Sequence, residues 1–172
     1  MRHTISLFVD NESGVLSRVA GLFSARGFNI ESLNVAETLD PDTSRITLVT
    51  TGDDFVIEQV IKRFNNMVNV IWVDDLTEEP RVEREMILIR VEANEKNRAE
   101  ILRMADIFRA KVVDVGAQSY SLELTGDKEK VNAFIELLEP MGIKEIARTG
   151  TVAMKRDAKN SNTADSNTGD KE

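Results

Sequence analysis

The chain has 172 residues, 41% of them hydrophobic and none of them cysteine, which allows one large or two small domains and excludes disulfides and thiolate metal sites. Its formal net charge of −8 argues against nucleic-acid binding, because a nucleic-acid-binding surface needs basic residues to neutralise phosphates. No apolar run approaches the ~18 residues of a membrane span and no signal-peptide pattern is present, so we expect a cytoplasmic protein without a membrane partner.

Residues 1–76 predict strands and helices in the order β-α-β-β-α-β. Apolar residues that alternate with polar ones indicate strands, and apolar residues spaced by three and four indicate helices. We predict a strand at 3–10, followed by a helix with Leu16, Val19, Ala20 and Phe23 facing the core. Strands at 30–36 and 44–51 come next, joined by a turn at 40–43. A helix capped by Asp53 or Asp54 and a strand at 68–73 complete the unit. His3 is predicted to lie on the strand surface.

The same order recurs after a predicted linker at 77–83. Within residues 84–156 we predict a strand at 85–91, a helix at 97–108, strands at 111–115 and 119–125 around Gly116, a helix capped by Asp127, and a strand at 143–147. The fold class is therefore α+β, with two ferredoxin-like domains in tandem, at 1–76 and 84–156. Residues 157–172 are polar and small, without apolar periodicity, and predict a disordered tail.

The predicted strands carry apolar residues on both faces. Ile87 and Ile89 alternate with Met86 and Leu88, for example, although two helices in each domain cover only one face of a four-stranded sheet. Exposed apolar faces of this kind are usually interaction surfaces. We therefore expect the open faces to be covered by a second domain, a partner protein or a second copy of the chain.

The most informative segment of the sequence is 11–33. Gly14 precedes the first helix, so a small anion can approach backbone N–H groups that have no partner within the helix. Structural roles are open as well: Gly14 and Asn11 are common turn and cap residues, helical spacing places Leu16 in the core, and Asn29 tolerates a left-handed backbone. No nucleophile–base pair accompanies the segment, so it indicates a sensor of a small molecule rather than an enzyme.

Several separate blocks of the sequence resemble one family, in the same order. That family is the small, regulatory subunit of acetolactate synthase, also called acetohydroxyacid synthase, and the resemblance covers roughly residues 2–155. Because the blocks are several and ordered, they are far more specific than a single glycine motif. The blocks are 11–19 (NESGVLSRV), 26–33 (RGFNIESL), 44–47 (SRIT), 82–85 (VERE), 108–110 (FRA), 113–115 (VDV) and 147–150 (ARTG).

This resemblance implies that 1–76 is an ACT domain, which binds an amino acid effector, and that the chain is a homodimer with no cofactor of its own. It implies a large catalytic partner that uses thiamine diphosphate, magnesium and FAD to condense two pyruvates to 2-acetolactate and CO2. The small subunit raises the activity of this partner and transmits feedback inhibition by valine, with leucine and isoleucine as alternative effectors. In the family pattern one subunit contributes Asn11, Gly14, Val15 and Leu16 to the effector site and the other contributes Asn29 and Ile30, with Leu33 in the pocket wall.

Two other classes of function are open from the residues alone. One is a stand-alone dimeric ACT-type sensor of amino acids that regulates a different enzyme or a transcription factor. The other is a small enzyme on a ferredoxin-like frame, which needs a convergent set of polar side chains that the sequence does not suggest. The fold does not separate these functions, whereas the ordered sequence blocks favour the regulatory subunit.

Overall fold

The structure is a computed structural model that describes residues 1–157, so the predicted tail lies outside the described residues apart from Asp157. None of the helices in this part of the chain is long and apolar enough to cross a bilayer. A short 3-10 helix, Glu139–Met141, follows the last α-helix. The elements in chain order are β1 (Arg2–Asp10), α1 (Val15–Ser24), β2 (Ile30–Glu37), β3 (Thr43–Thr51), α2 (Asp54–Phe64), β4 (Val70–Asp75), β5 (Arg81–Glu92), α3 (Arg98–Phe108), β6 (Lys111–Val115), β7 (Ser119–Gly126), α4 (Lys128–Leu138), β8 (Ile143–Arg148) and β9 (Val152–Lys155).

The strand order in both halves is that of a ferredoxin-like fold. In the first sheet β1 lies between β3 and β4, and β2 is the outer strand beside β3. In the second sheet β5 lies between β7 and β8, and β6 is the outer strand beside β7. All these pairs are antiparallel. The predicted α+β class and the order β-α-β-β-α-β are therefore confirmed in both halves.

Helix α1 shows how the first half packs. Its buried residues are Val15, Val19 and Phe23, whose four-residue spacing forms one apolar stripe along the helix. Phe23 packs against Phe64 of α2, with the ring centroids 5.6 Å apart. Leu16 was also predicted in the core, but it is 41% exposed, because it projects about 100° around the helix from the stripe that Val15 begins.

Helices α2 and α4 are capped at their N-termini by predicted aspartates. The Asp53 side chain accepts a hydrogen bond from the Phe55 N–H at 3.0 Å, and Asp127 accepts one from the Lys130 N–H at 2.9 Å. Of the two candidates for α2, Asp53 is thus the cap, and Asp54 is the first helical residue.

The second half contains one strand that the sequence pattern does not predict. This strand, β9, pairs antiparallel with the first part of β5, from Arg81 to Arg84. As a result β5 is 12 residues long and begins within the stretch predicted as a linker, at Arg81. The two paired segments are far apart in the sequence and only four residues long, too short for local periodicity to reveal their pairing.

The open faces of the two sheets are covered differently. On β1, Thr4 and Ser6 face away from the helices and are buried, and β9 packs against β1. Arg45 of β3 links these layers, because its guanidinium donates to the Ala153 carbonyl at 2.7 Å, and burial lowers the pKa of this side chain. Leu88, on the open face of the second sheet, stays 42% exposed. The second half therefore covers the open face of the first half, while its own open face is uncovered within the described chain.

His3 is buried, so its predicted place on the strand surface was wrong. Its Nε2 lies 3.1 Å from Asp54 Oδ1, and its Nδ1 lies 3.5 Å from Thr77 Oγ1. The alternation along β1 puts His3 on the same face as Ile5, which belongs to the core. Position in the strand therefore decided its burial more than the polarity of the side chain did.

Candidate functional site

The start of α1 is a helix end without a side-chain cap. Gly14 precedes the helix with φ +88°, a left-handed conformation that favours glycine, and no side chain of the described residues caps the helix start. The first turn contains no acidic residue, and a Cβ added to Gly14 would meet no atom of residues 1–157 within 4 Å. Because the first N–H groups of a helix have no partner within it, this end offers donors and partial positive charge to a small anion.

Asn11 holds the β2–β3 hairpin beside this helix end. Its Nδ2 donates to the Pro41 carbonyl at 2.8 Å, and its Oδ1 accepts from Ser44 Oγ at 3.0 Å. Its backbone N–H donates to the Asp42 carbonyl at 2.8 Å. The side chain thus has the turn-building role that its residue type suggests, and Oδ1 keeps a second lone pair that can accept from a ligand ammonium group.

Val15 and Leu16 can offer different contacts to a ligand. The Val15 side chain belongs to the core, so only its backbone N–H is available, and that group lies 3.4 Å from the Glu12 carbonyl. The Leu16 side chain is exposed next to the helix start. Of the two residues, only Leu16 is placed to make an apolar contact.

Asn29 and Ile30 lie at the opposite end of the first sheet. Ile30 begins β2 and pairs with Thr50 near the end of β3, and the Asn29 carbonyl accepts from Thr50 Oγ1 at 2.7 Å. Gly14 instead follows β1, whose last residues pair with the start of β3. The 10 residues of α1 span about 15 Å between the two ends. A single chain therefore does not bring the two groups of predicted site residues together.

Leu33 lies with the second group rather than the first. Both Leu33 and Ile30 are half-buried on β2 and pack against the core of the first half. Because β2 is the outer strand of its sheet, the edge beyond it presents backbone N–H and C=O groups that have no strand partner within residues 1–157.

A polar network next to the start of α1 was not evident in the sequence. Asn69 Nδ2 donates to the carboxylates of Asp10 at 3.0 Å and Glu12 at 3.3 Å, and Arg18 donates to Asn69 Oδ1 at 2.5 Å. The network fixes one guanidinium within the first turns of α1. Within residues 1–157 no group of three or more His, Cys, Asp or Glu side chains is arranged to hold a metal ion, these carboxylates included.

Two family models match the chain and together span most of it. Residues 5–72 match the model described as an AHAS small subunit-like ACT domain. Residues 84–157 match the model described as the small subunit of acetolactate synthase. The first match falls on β1 to β4 and the second on β5 to β9.

Relatives resemble the chain over nearly its whole length. A probable acetolactate synthase small subunit of Archaeoglobus fulgidus is 55% identical, over 91% of this chain and 98% of its own. The acetolactate synthase small subunit of Aquifex aeolicus is 51% identical, over 91% of this chain and 82% of its own. The crystal structure of the acetolactate synthase small subunit from Thermotoga maritima, 44% identical, matches with a TM-score of 0.82 over 91% of this chain and 98% of that one.

Proposed function

Because this chain belongs to the family of acetolactate synthase small subunits, the regulatory subunits of that enzyme, we propose that it activates a catalytic subunit and makes it sensitive to valine. The partner would condense two pyruvates to 2-acetolactate and CO2, and thiamine diphosphate, magnesium and FAD are assigned to that partner. The observation that carries the proposal is the uncapped start of α1, whose first turn contains no acidic residue, in a chain that matches both family models.

The proposed effector site is shared between two copies of the chain. Two β2 edges related by a two-fold axis would pair antiparallel, which places the start of one β2 beside the end of the other. The end of β2 leads into the hairpin that Asn11 holds next to the start of α1. The partner's Asn29 and the partner's Ile30 would then approach Gly14 and Leu16 of this chain. This arrangement supports a homodimer with the effector at its interface.

An amino acid effector fits the chemistry of these two groups. Its carboxylate would accept from the N–H groups at the start of α1, and its ammonium group would donate to amide oxygens of Asn11 and the partner's Asn29. Leu16, Leu33 and Ile30 supply apolar surface for the effector side chain. Valine has two more side-chain carbons than alanine, which at ~0.8 kcal/mol per buried carbon gives about 1.6 kcal/mol, or roughly fifteenfold in affinity.

Reconstitution with a catalytic subunit tests this function directly. We expect the chain to raise the rate of acetolactate formation and valine to lower it. The valine concentration that halves the rate should be roughly fifteenfold lower than the alanine concentration that does so. The measurement is acetolactate formed with and without each amino acid. A catalytic subunit that the chain does not activate, or equal inhibition by alanine and valine, would contradict the proposal.

A truncation tests which half activates the partner. We propose that the second half makes much of the contact, and the exposed open face around Leu88 supports this. A fragment of residues 1–76 is therefore expected to give no activation. Circular dichroism and thermal unfolding of the fragment show whether it is folded, which matters because it lacks the β9 cover over β1. Full activation by a folded fragment would refute the assignment.

A further inference from the structure

The loop between β8 and β9 fastens the second half of the chain to β2. The Thr151 N–H donates to Ser32 Oγ at 2.8 Å, and Asn34 Nδ2 donates to the Thr149 carbonyl at 3.4 Å. Between them, Gly150 has φ +79°, and a Cβ there would lie 2.7 Å from Ser32 Oγ. Only glycine allows the two segments to come this close. We call Ser32, Asn34 and Thr149 to Thr151 the clasp.

The clasp is anchored in the second sheet on its other side. The Thr149 N–H donates to the Met86 carbonyl at 3.1 Å, and the Met86 N–H donates back to Thr149 Oγ1 at 3.1 Å. The preceding residue, Arg148, forms two hydrogen bonds of 2.7 Å with the Glu85 carboxylate. Because Glu85 and Met86 both belong to β5, the loop and the central strand of the second half are held as one unit.

The clasp begins two residues after Ile30, the proposed effector contact on β2. The register of β2 against β3 shifts between Ile30 and Ser32, so the strand has an irregularity at Glu31, where its geometry differs from that of a regular ladder. Glu31 Oε2 lies 3.7 Å from Arg2 Nε, and Arg2 in turn lies 3.4 Å from Glu83 of β5. The two residues after Ile30 thus both connect β2 to the second half: Glu31 through Arg2 to Glu83, and Ser32 directly to Thr151.

The surroundings of the clasp leave space for movement. A cavity of about 430 Å³ lies between the halves, bordered by Ser32, Gly150, Lys128 and Asn132. A close-packed interior resists displacement, because it has no free volume. The cavity therefore gives the start of β2 room to shift relative to the second half.

We infer that Ser32 is a positioning residue through which an effector at Ile30 changes the placement of the second half. The inference rests on the proposed function, because it requires an amino acid to bind there. A displacement of the Ser32 hydroxyl displaces the Thr151 N–H that donates to it. The hydrogen bonds between Thr149 and Met86 then pass this displacement to β5. Coupling between sites needs an element whose position both sites bias, and the clasp is such an element.

The substitution Ser32→Ala removes the acceptor without adding bulk beside Gly150. The matched control is Ser24→Ala, which removes a hydroxyl that donates to the Ala20 carbonyl within α1 at 3.3 Å and does not join the halves. In calorimetry of the free chain, we expect the valine affinity of Ser32→Ala to stay within about twofold of the parent's. In the reconstituted enzyme, the valine concentration for half-inhibition should rise about fivefold, which corresponds to the loss of one hydrogen bond. Ser24→Ala should change neither value.

Hydrogen exchange gives a readout that a purely structural role would not move. In the parent chain, valine should change the exchange rate of the Thr149 amide, whose acceptor is the Met86 carbonyl in the parent and in the variant alike, and in Ser32→Ala this response should disappear. Inhibition of Ser32→Ala at the parent's valine concentration, with unchanged binding, would overturn the inference while leaving the proposed function intact. A parent chain that binds no valine would instead overturn the proposed function, and the inference with it.

Discussion

Gly14→Asp is expected to abolish valine inhibition and to leave activation of the catalytic subunit intact. The new carboxylate would bond to the N–H groups at the start of α1 and repel the carboxylate of the effector. Loss of charge-assisted hydrogen bonds at about 1.5–3 kcal/mol each corresponds to a hundredfold or greater loss of valine affinity. Calorimetry with valine and acetolactate assays of the reconstituted enzyme measure the two parts of this expectation.

The fold should tolerate this substitution. A Cβ at Gly14 meets no atom within 4 Å in the described part of the chain, and aspartate and asparagine accept φ values such as the +88° found here better than most residues do. Gly14→Asn is the matched control, because it has the same size and backbone requirement but no charge. Valine affinity should fall much less in Gly14→Asn than in Gly14→Asp. Normal valine inhibition of Gly14→Asp would remove the helix start from the proposed site.

Arg148→Ala is expected to destabilise the chain by about 2–3 kcal/mol, because it leaves a buried carboxylate without its partner. Both Glu85 oxygens accept from Arg148 at 2.7 Å, and the Glu85 side chain is only 7% exposed. The same hydrogen bond raises the pKa of Arg148. The expected loss is set below that of a fully buried pair, because Arg148 is itself partly exposed to solvent. Urea unfolding of the parent and the variant measures it.

Arg90→Ala is the control for this prediction. Arg90 and Glu145 are also 2.7 Å apart, but both side chains are exposed, so we expect a loss of less than about 1 kcal/mol. Adding Glu85→Gln to Arg148→Ala should recover part of the stability, since a neutral amide costs less to bury than a carboxylate. Equal losses in Arg148→Ala and Arg90→Ala would show that burial of Glu85 does not determine the effect.

Local sequence patterns predicted most of the secondary structure. Asp53 and Asp127 cap their helices as predicted, because the cap interaction involves residues only two or three positions apart. By contrast, β9 depends on pairing with the distant segment Arg81–Arg84, and neither segment has an apolar pattern that identifies its partner. Leu16 illustrates an intermediate case: its helix was predicted, but its exposure depends on where the stripe of Val15, Val19 and Phe23 is centred.

The residues of the candidate site and their division between two subunits were predicted, but the contacts around these residues were not. Sequence alone indicated an accessible backbone at Gly14, and the conformation at φ +88° without a cap agrees with it. The network of Asp10, Glu12, Arg18 and Asn69 was not predictable, because Asn69 reaches the helix start only through the pairing of β1 with β4.

The two β-α-β-β-α-β units and the family follow from local sequence, because periodicity, caps and turn residues act over a few positions and the matching blocks can be read in order. Two features emerge only in the folded chain: Gly14 and Asn29 lie at opposite ends of one sheet, and β9 and the clasp join the halves through Ser32 and Thr151. These features depend on contacts between residues far apart in the chain. Such contacts are set by strand register and packing, which local patterns do not specify.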